Sequence, residues 1–416
     1  MKNIHKHIKK AFVLLGLLLS HHSISQPLDS LLQLVTENNP TLKALQLEFE
    51  AEELNIDQVS QLPNLEFGAG IPVLRPETRL GSQVVLLSAT QMFPWFGTLK
   101  SKKNVVLSIS KVKYEMIAST KLELFSRVKV SYYQLYFLKE KKYIILNYIE
   151  IYKTIESVAL AKVESGQSTT ADVLRIQLKL QEFYQELKMV DNEVLVRSAE
   201  INELAHLSMR NTVIPSDELN KVASIEYNLE EFKLKIEASH PLINQLNNKV
   251  EASKQRQISN TNINRPSFGL GVDYSFVQPR TDANPSGNGR DIFIPKIKMS
   301  IPLYRKSYKA VNTQEELLQN AYAFKKEGLT LKMVRMIQEE KMNYDNAILE
   351  HELIEQQIET TQMVYEILLT EYSSTGKGFD ELLQIQNQLL TYELLLSKAQ
   401  AKSYIAKSNI EKVTNF

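Results

Sequence analysis

The side chains able to do chemistry are few, and their spacing argues against a reaction centre. Four of the seven histidines fall within the first 22 residues. The other three, His206, His240 and His351, stand far apart, without an HExxH pair or acidic residues spaced to complete a metal site. Gly376–Phe379 reads GKGF, which lacks the spacing and the Ser/Thr of a phosphate-binding loop. Met333 and Met336 share a helix face, as packing methionines do. No Ser/His/Asp arrangement is visible. The reading is of a chain that is not an enzyme and has neither cofactor nor resident metal. Three acids remain of interest. Asp172, Asp380 and Glu381 each lie at the start of a helix, where they could cap it and complement its dipole, or ring an aperture and attract cations.

The elements that position these acids are long helices. Thirteen glycines and thirteen prolines are clustered rather than scattered. Neither type occurs between Thr98 and Ser165, and only Gly328 interrupts Arg305–Thr375. Uninterrupted helices there would each be roughly 100 Å long at the usual rise per residue, which suits coiled coils, repeats or tubes rather than compact domains. A repeat supports this. Val173, Ile176, Leu180, Phe183, Leu187 and Val190 recur as Leu382, Ile385, Leu389, Tyr392, Leu396 and Ala399. The preceding helix follows the same offset: Ile145, Ile149, Tyr152, Glu156, Ala159 and Val163 answer Ile354, Ile358, Thr361, Tyr365, Leu368 and Tyr372. The alternating three–four spacing is the seam of helices packed along their length in a tandem duplication.

Each half also holds a stretch of period two. After Pro266, Phe268, Leu270, Val272, Tyr274 and Phe276 oppose Ser267, Gly269, Gly271, Asp273 and Ser275. A loop over Gln278–Arg290 follows, and then Phe293, Ile297, Met299, Ile301 and Leu303 alternate with Lys296, Lys298 and Ser300. In the first half, Leu65, Phe67, Ala69, Ile71 and Val73 oppose Glu66, Gly68 and Gly70, and Gln83–Phe93 follows with poorer alternation. Strands of ~10 residues, apolar on one side, have the length and pattern of transmembrane barrel strands. An arginine on the apolar side should be costly, whereas Gly271→Ser on the other side should be mild. One chain's strands cannot close a barrel, so copies must pool them: roughly eight from a dimer or twelve from a trimer. Pro63, Pro94, Pro266 and Pro302 sit at the helix–strand junctions, where proline costs least. Trp95, Phe96, Tyr304 and Tyr308 beside them suit an interfacial girdle or simple junction packing.

Residues 1–25 read as a secretory signal: Lys2, Lys6, Lys9 and Lys10, the apolar run Ala11–Leu19, then small residues Ser23 and Ser25 ahead of cleavage. Removing the segment takes the formal charge from +1 to −3, a balance that gives nucleic acid no reason to bind. Cysteine is absent, so stability must come from packing and no N-terminal cysteine can carry a lipid.

The order helix, strand, strand, long helix, tip, helix, repeated twice, resembles the outer membrane efflux protein (TolC) family over nearly the whole mature chain. Asn39-Pro40 and His240-Pro241 resemble its paired helix openings. Gln91–Gly97 (QMFPWFG) and Ser300–Tyr304 (SIPLY) resemble its strand exits. Gly166 with Asp172–Gln177, and Gly376 with Asp380–Gln386, resemble its helix tips, although Gly166 aligns with Thr375 rather than Gly376. QMFPWFG is most similar to ducts paired with heavy-metal exporters of the resistance-nodulation-division type.

The resemblance implies a mainly helical fold with a membrane β-barrel contribution: a duplicated long-helix α-barrel and four strands per protomer, trimerising into a twelve-stranded barrel. The segments would be N-terminal helices over 26–62, a first transmembrane hairpin over 63–94, a first helical hairpin over 95–209, an equatorial linker over 210–239, a helix over 240–265, a second transmembrane hairpin over 266–304 and a second helical hairpin over 305–416. Gly166, Thr170, Thr375, Gly376 and Gly378 would form tips that dock a periplasmic adaptor. Asp172, Asp380 and Glu381 would line the periplasmic aperture. The implied function is passive conduction of small molecules or metal ions, in a homotrimer set in outer-membrane lipid with its helical barrel in the periplasm, from an inner-membrane pump and its adaptor to the exterior. The alternatives are a protein-secretion duct of a type I system and a periplasmic coiled-coil or adaptor protein that is no channel.

Overall fold

A computed structural model describes residues 25–219, 228–375 and 378–414. The signal segment therefore lies outside the described residues except for its last position, and Gly376 lies outside them as well. In chain order the elements are β1 (Ser25–Gln26), α1 (Leu28–Asn38), α2 (Pro40–Ser60), β2 (Glu66–Gly70), β3 (Glu77–Thr78), β4 (Gly81–Phe93), α3 (Thr98–Glu164), α4 (Thr170–Leu204), β5 (Ile214–Pro215), α5 (Leu229–Ser239), α6 (Pro241–Ile263), β6 (Ser267–Gln278), β7 (Ile292–Ser300), α7 (Lys306–Thr375) and α8 (Phe379–Thr414). Two compact units emerge. One comprises Met1–Lys43, Thr120–Ile236 and Lys332–Phe416, the other Ala44–Ser119 and Glu237–Leu331.

The first unit is helical. None of the heptad-seam residues named above is exposed, and Tyr132, Ile145, Tyr152, Ala159 and Ile176 are almost fully buried. Seam contacts join both halves of the repeat. The rings of Tyr152 and Phe183 meet edge-on with centroids 5.2 Å apart, and the Tyr152 hydroxyl donates to Asn387 Oδ1 at 3.2 Å. Beside them Tyr148 donates to Glu393 Oε1 at 3.2 Å. Burial raises the Glu393 pKa, and the Tyr148 hydrogen bond only partly offsets it. The segment between α4 and α5 contains an element that the sequence reading lacks: β5 pairs in parallel with β1. Asp217 anchors this junction by accepting from the Leu28 N–H at 3.0 Å and the Tyr132 hydroxyl at 2.9 Å.

The α1–α2 break follows from Asn39-Pro40. Asn39 Oδ1 accepts from the N–H groups of Thr41 and Leu42 at 2.9 and 3.2 Å, and its amide donates to the Leu204 carbonyl at 2.8 Å. Proline at the first helical position forfeits no bond there. The second unit repeats the device. His240 precedes Pro241, and its Nδ1 accepts from the Leu242 N–H at 3.2 Å. Helix α6 then packs through short polar side chains and one ion pair: Gln245 donates to Ser119 Oγ at 2.7 Å, Ser253 to the Glu315 carbonyl at 3.0 Å, and Arg256 meets Glu315 at 2.8 Å.

The second unit also holds one antiparallel sheet in the order β2-β4-β6-β7, with β3 appended to β4. The two halves of the chain therefore meet edge to edge through β4 and β6. Three details differ from the sequence reading. β2 spans five residues rather than about ten, bounded by Pro63 on one side and Pro72 on the other, neither of which can donate to a ladder. β7 ends at Ser300, ahead of Ile301 and Leu303. The poor alternation of β4 has a cause: its register with β6 shifts between Gln83 and Val85, and an extra residue reverses the phase of every side chain beyond it.

Candidate functional site

Two surfaces could serve a function. The first is the sheet. Directly paired residues of an antiparallel ladder share a face. The register therefore places Phe67 and Ala69 of β2, then Val85, Leu87, Ala89 and Phe93 of β4, on one face. Phe268, Leu270, Val272, Tyr274 and Phe276 of β6, with Phe293, Ile297 and Met299 of β7, continue it. This face is bare: Phe67 is 78% exposed, Leu270 57% and Ile297 79%. The opposite face carries Glu66, Ser88, Thr90, Asp273, Ser275, Lys296, Lys298 and Ser300, interrupted by Leu86, Met92, Ile292 and Ile294. Asp273 and Lys296 form an ion pair across β6 and β7 there. An aqueous protein buries such an apolar band; a lipid-facing sheet displays it. Among the described residues no helix is long and apolar enough to cross a membrane.

Gly271 departs from expectation. A Cβ added there would lie 2.8 Å from the Ala89 carbonyl oxygen and 2.7 Å from Thr90 Oγ1. Gly271→Ser is therefore not mild: the glycine is needed for the close approach of β4 to β6, which no single strand reveals.

The second surface is formed by the helix turns, both in the helical unit. At the first, Gly166 takes the left-handed backbone (φ 72°), its N–H donating to the Val163 carbonyl at 3.0 Å and that of Gln167 to the Lys162 carbonyl at 2.8 Å. These are the two bonds of a Schellman ending, which glycine enters without strain. The chain reverses and α4 opens at Thr170, with Thr169 as its cap. Asp172 Oδ2 accepts from the Thr169 N–H at 3.1 Å and from the hydroxyls of Ser168 and Thr169 at 2.8 and 2.9 Å. Burial works to raise the Asp172 pKa, but these hydrogen bonds and the charge of Arg175 outweigh it and hold the carboxyl below its usual range. Asp172 is thus engaged in capping, with 14% of its side chain exposed. At the second turn, Gly378 has φ 77° immediately before α8 begins at Phe379. Glu381 is exposed, and Asp380, 69% exposed, pairs with Arg175 of the first turn.

The structure thus brings Asp172 and Asp380 to one place, through a residue that sequence reasoning missed. Lys162 was missed as well. Its Nζ donates to the carbonyl of Tyr372, the fourth residue from the end of α7, at 2.8 Å and lies 4.7 Å from the Tyr372 ring. Tyr372 in turn lies 5.3 Å from the ring of Phe379 across the turn. A lysine near a helix end satisfies the last carbonyls, but nothing in sequence says whose carbonyls they are. Among the described residues no group of three or more His, Cys, Asp and Glu side chains could hold a metal ion.

A mainly helical chain carrying a sheet with one apolar and one polar face is a fold that solved outer-membrane channels share. Three solved channels bear this out over almost their full lengths. CusC matches with a TM-score of 0.75 at 14% identity, covering 94% of this chain and 92% of that one. OprN matches with 0.75 at 15% identity, covering 93% and 89%. The open state of the Neisseria gonorrhoeae MtrE outer membrane channel matches with 0.71 at 14% identity, covering 95% and 92%. Residues 31–205 match the family model described as outer membrane efflux protein, and in fold the chain is similar to TolC-like channels. The solved structures that share this fold are outer-membrane channels. A search of curated proteins returned no match. The matches do not separate the heavy-metal branch from the others.

Proposed function

We propose that the chain is one protomer of a homotrimeric outer-membrane duct that passively conducts small molecules or metal ions delivered by an inner-membrane pump through a periplasmic adaptor. The observation that carries this reading is the sheet, with its exposed apolar face continuous over four strands and its charged and hydroxylic face behind. In lipid, the outer edges of β2 and β7 would leave backbone groups unpaired at several kcal/mol each, so the strands must be completed by other copies. On this reading residues 63–94 and 266–304 are the membrane hairpins, and the helices extend into the periplasm. The purified chain in detergent should have about three times the mass of one chain, as twelve pooled strands require. A monodisperse monomer, soluble without detergent, overturns the reading.

The turns are the proposed adaptor rim: Gly166, Thr170, Thr375 and Gly378, with Gly376 between. Asp380 and Glu381 are the candidate aperture acids, and Asp172 keeps its capping role. A Cβ at Gly166 meets nothing within 4 Å, so only backbone strain of about 1–2 kcal/mol opposes a side chain there. Gly166→Tyr should therefore leave trimer formation and insertion intact while abolishing export, read as sensitivity of cells to the exported drug or metal. Normal export by this variant removes the docking assignment and leaves the duct standing.

A further inference from the structure

We propose that a pocket where the sheet's polar face meets α3 and α6 binds an oxyanion, a phosphate group above all. Trp95, Thr98, Lys102, Asn262, Arg265 and Tyr308 line it, and its wall contains no Asp or Glu. Neither Lys102 nor Arg265 has a carboxylate partner among the described residues. The Arg265 guanidinium lies 5.5 Å from the centre of the Trp95 ring, which holds it at the pocket without neutralising it. Lys102 stands on the first turns of α3, whose opening residue is Thr98. A helix start presents N–H groups without intrahelical acceptors and a positive dipole end.

Thr98 is only 3% exposed, yet its hydroxyl has no partner among the described residues. An unmatched buried hydroxyl is costly and calls for an acceptor. Asn262 shapes the same corner, its amide donating to Ser101 Oγ at 3.2 Å. Two unpaired cations, a helix start and a waiting hydroxyl together suit a tetrahedral anion with several acceptor oxygens.

The pocket's position narrows the source of that anion. Ser267 and Ser300, also on its wall, pair with each other on the sheet's polar face, which Met92 shares through Gly269. On the channel reading this face looks into the conduit. The site would then meet dissolved anions or phosphate-bearing cargo rather than lipid headgroups. That placement rests on the channel reading; the site itself rests on residues of a single chain.

The test uses the full mature chain in detergent, titrated with inorganic phosphate and followed by calorimetry. A parallel arm uses nanodiscs of phosphatidylcholine with and without phosphatidylglycerol. Phosphate should bind, and Lys102→Gln with Arg265→Gln should weaken it about tenfold or more, the loss expected for charged hydrogen bonds. Lys102→Arg should retain binding, and Thr98→Val should weaken it more modestly. Binding of phosphatidylglycerol alone, lost in the double variant, supports the phosphate site with lipid as its source. Absence of binding in both arms, or binding untouched by the double variant, overturns the proposal. Molecular mass measured on the same samples keeps the outcomes distinct: an intact trimer without phosphate binding sinks the site and spares the duct.

Discussion

Leu270→Arg should block assembly into the membrane. Leu270 lies within the exposed apolar face of β6, paired with Gln91 on one side and Ile297 on the other. If it stands near the bilayer midplane, an arginine there costs about 2–4 kcal/mol. The control is Lys298→Gln, on the polar face of β7 and exposed, which should change stability by less than about 0.5 kcal/mol. Membrane fractionation with assays of folded trimer measures both. Equal tolerance of the two substitutions would mean that the apolar face does not meet lipid, and the barrel reading would fall with it.

The second large effect is on pH. His240 is 4% exposed, and burial lowers its pKa from 6.5 to about 4. The neutral ring is the form that can accept at Nδ1 from the Leu242 N–H. Between pH 6.5 and 4 the unfolded chain takes up a proton that the folded chain refuses. Stability therefore falls as the solution is acidified through that window, by roughly 3 kcal/mol at its lower end, and is restored above pH 6.5. Asn39 shows that an asparagine makes the same cap ahead of a proline. His240→Asn should accordingly keep its stability at pH 7 and lose less of it at pH 4.5 than the parent chain. Titrating carboxylates contribute to both proteins, so the difference between the two acid-induced losses isolates His240. Identical losses would show that the ring is protonated in the folded state at little cost.

What could be read from the sequence was whatever is periodic or local. The two long stretches without proline, the second interrupted by Gly328 alone, became α3 and α7 with ends within one residue of those stretches, and the heptad seam became the helical core, because regular spacing projects directly onto a face. Asn39 and His240 were legible because a cap acts within three residues. Pairings between distant segments were not. The β1–β5 ladder, Arg175 with Asp380 and Lys162 with the end of α7 each join residues about 190–210 positions apart. A charged side chain on a helix looks the same in sequence whether it meets water or a neighbouring turn. β4 failed for another reason: one irregularity near Val85 shifts the phase of the remaining strand, and a period-two count cannot absorb it.

The unequal edges of the sheet bear on how such a protein could come together. β2 offers five residues and β7 nine, and their positions in an all-antiparallel order set them running in opposite directions. Joining copies through β7 and β2 is a head-to-tail contact between two different surfaces, so any open string of copies retains one adhesive end of each kind. Growth then has no comfortable stopping point short of closure, and the last joint forms within one molecule rather than between two. The yield of closed rings should therefore depend on keeping early encounters few, and crowding of unassembled chains should favour tangled strings over pores.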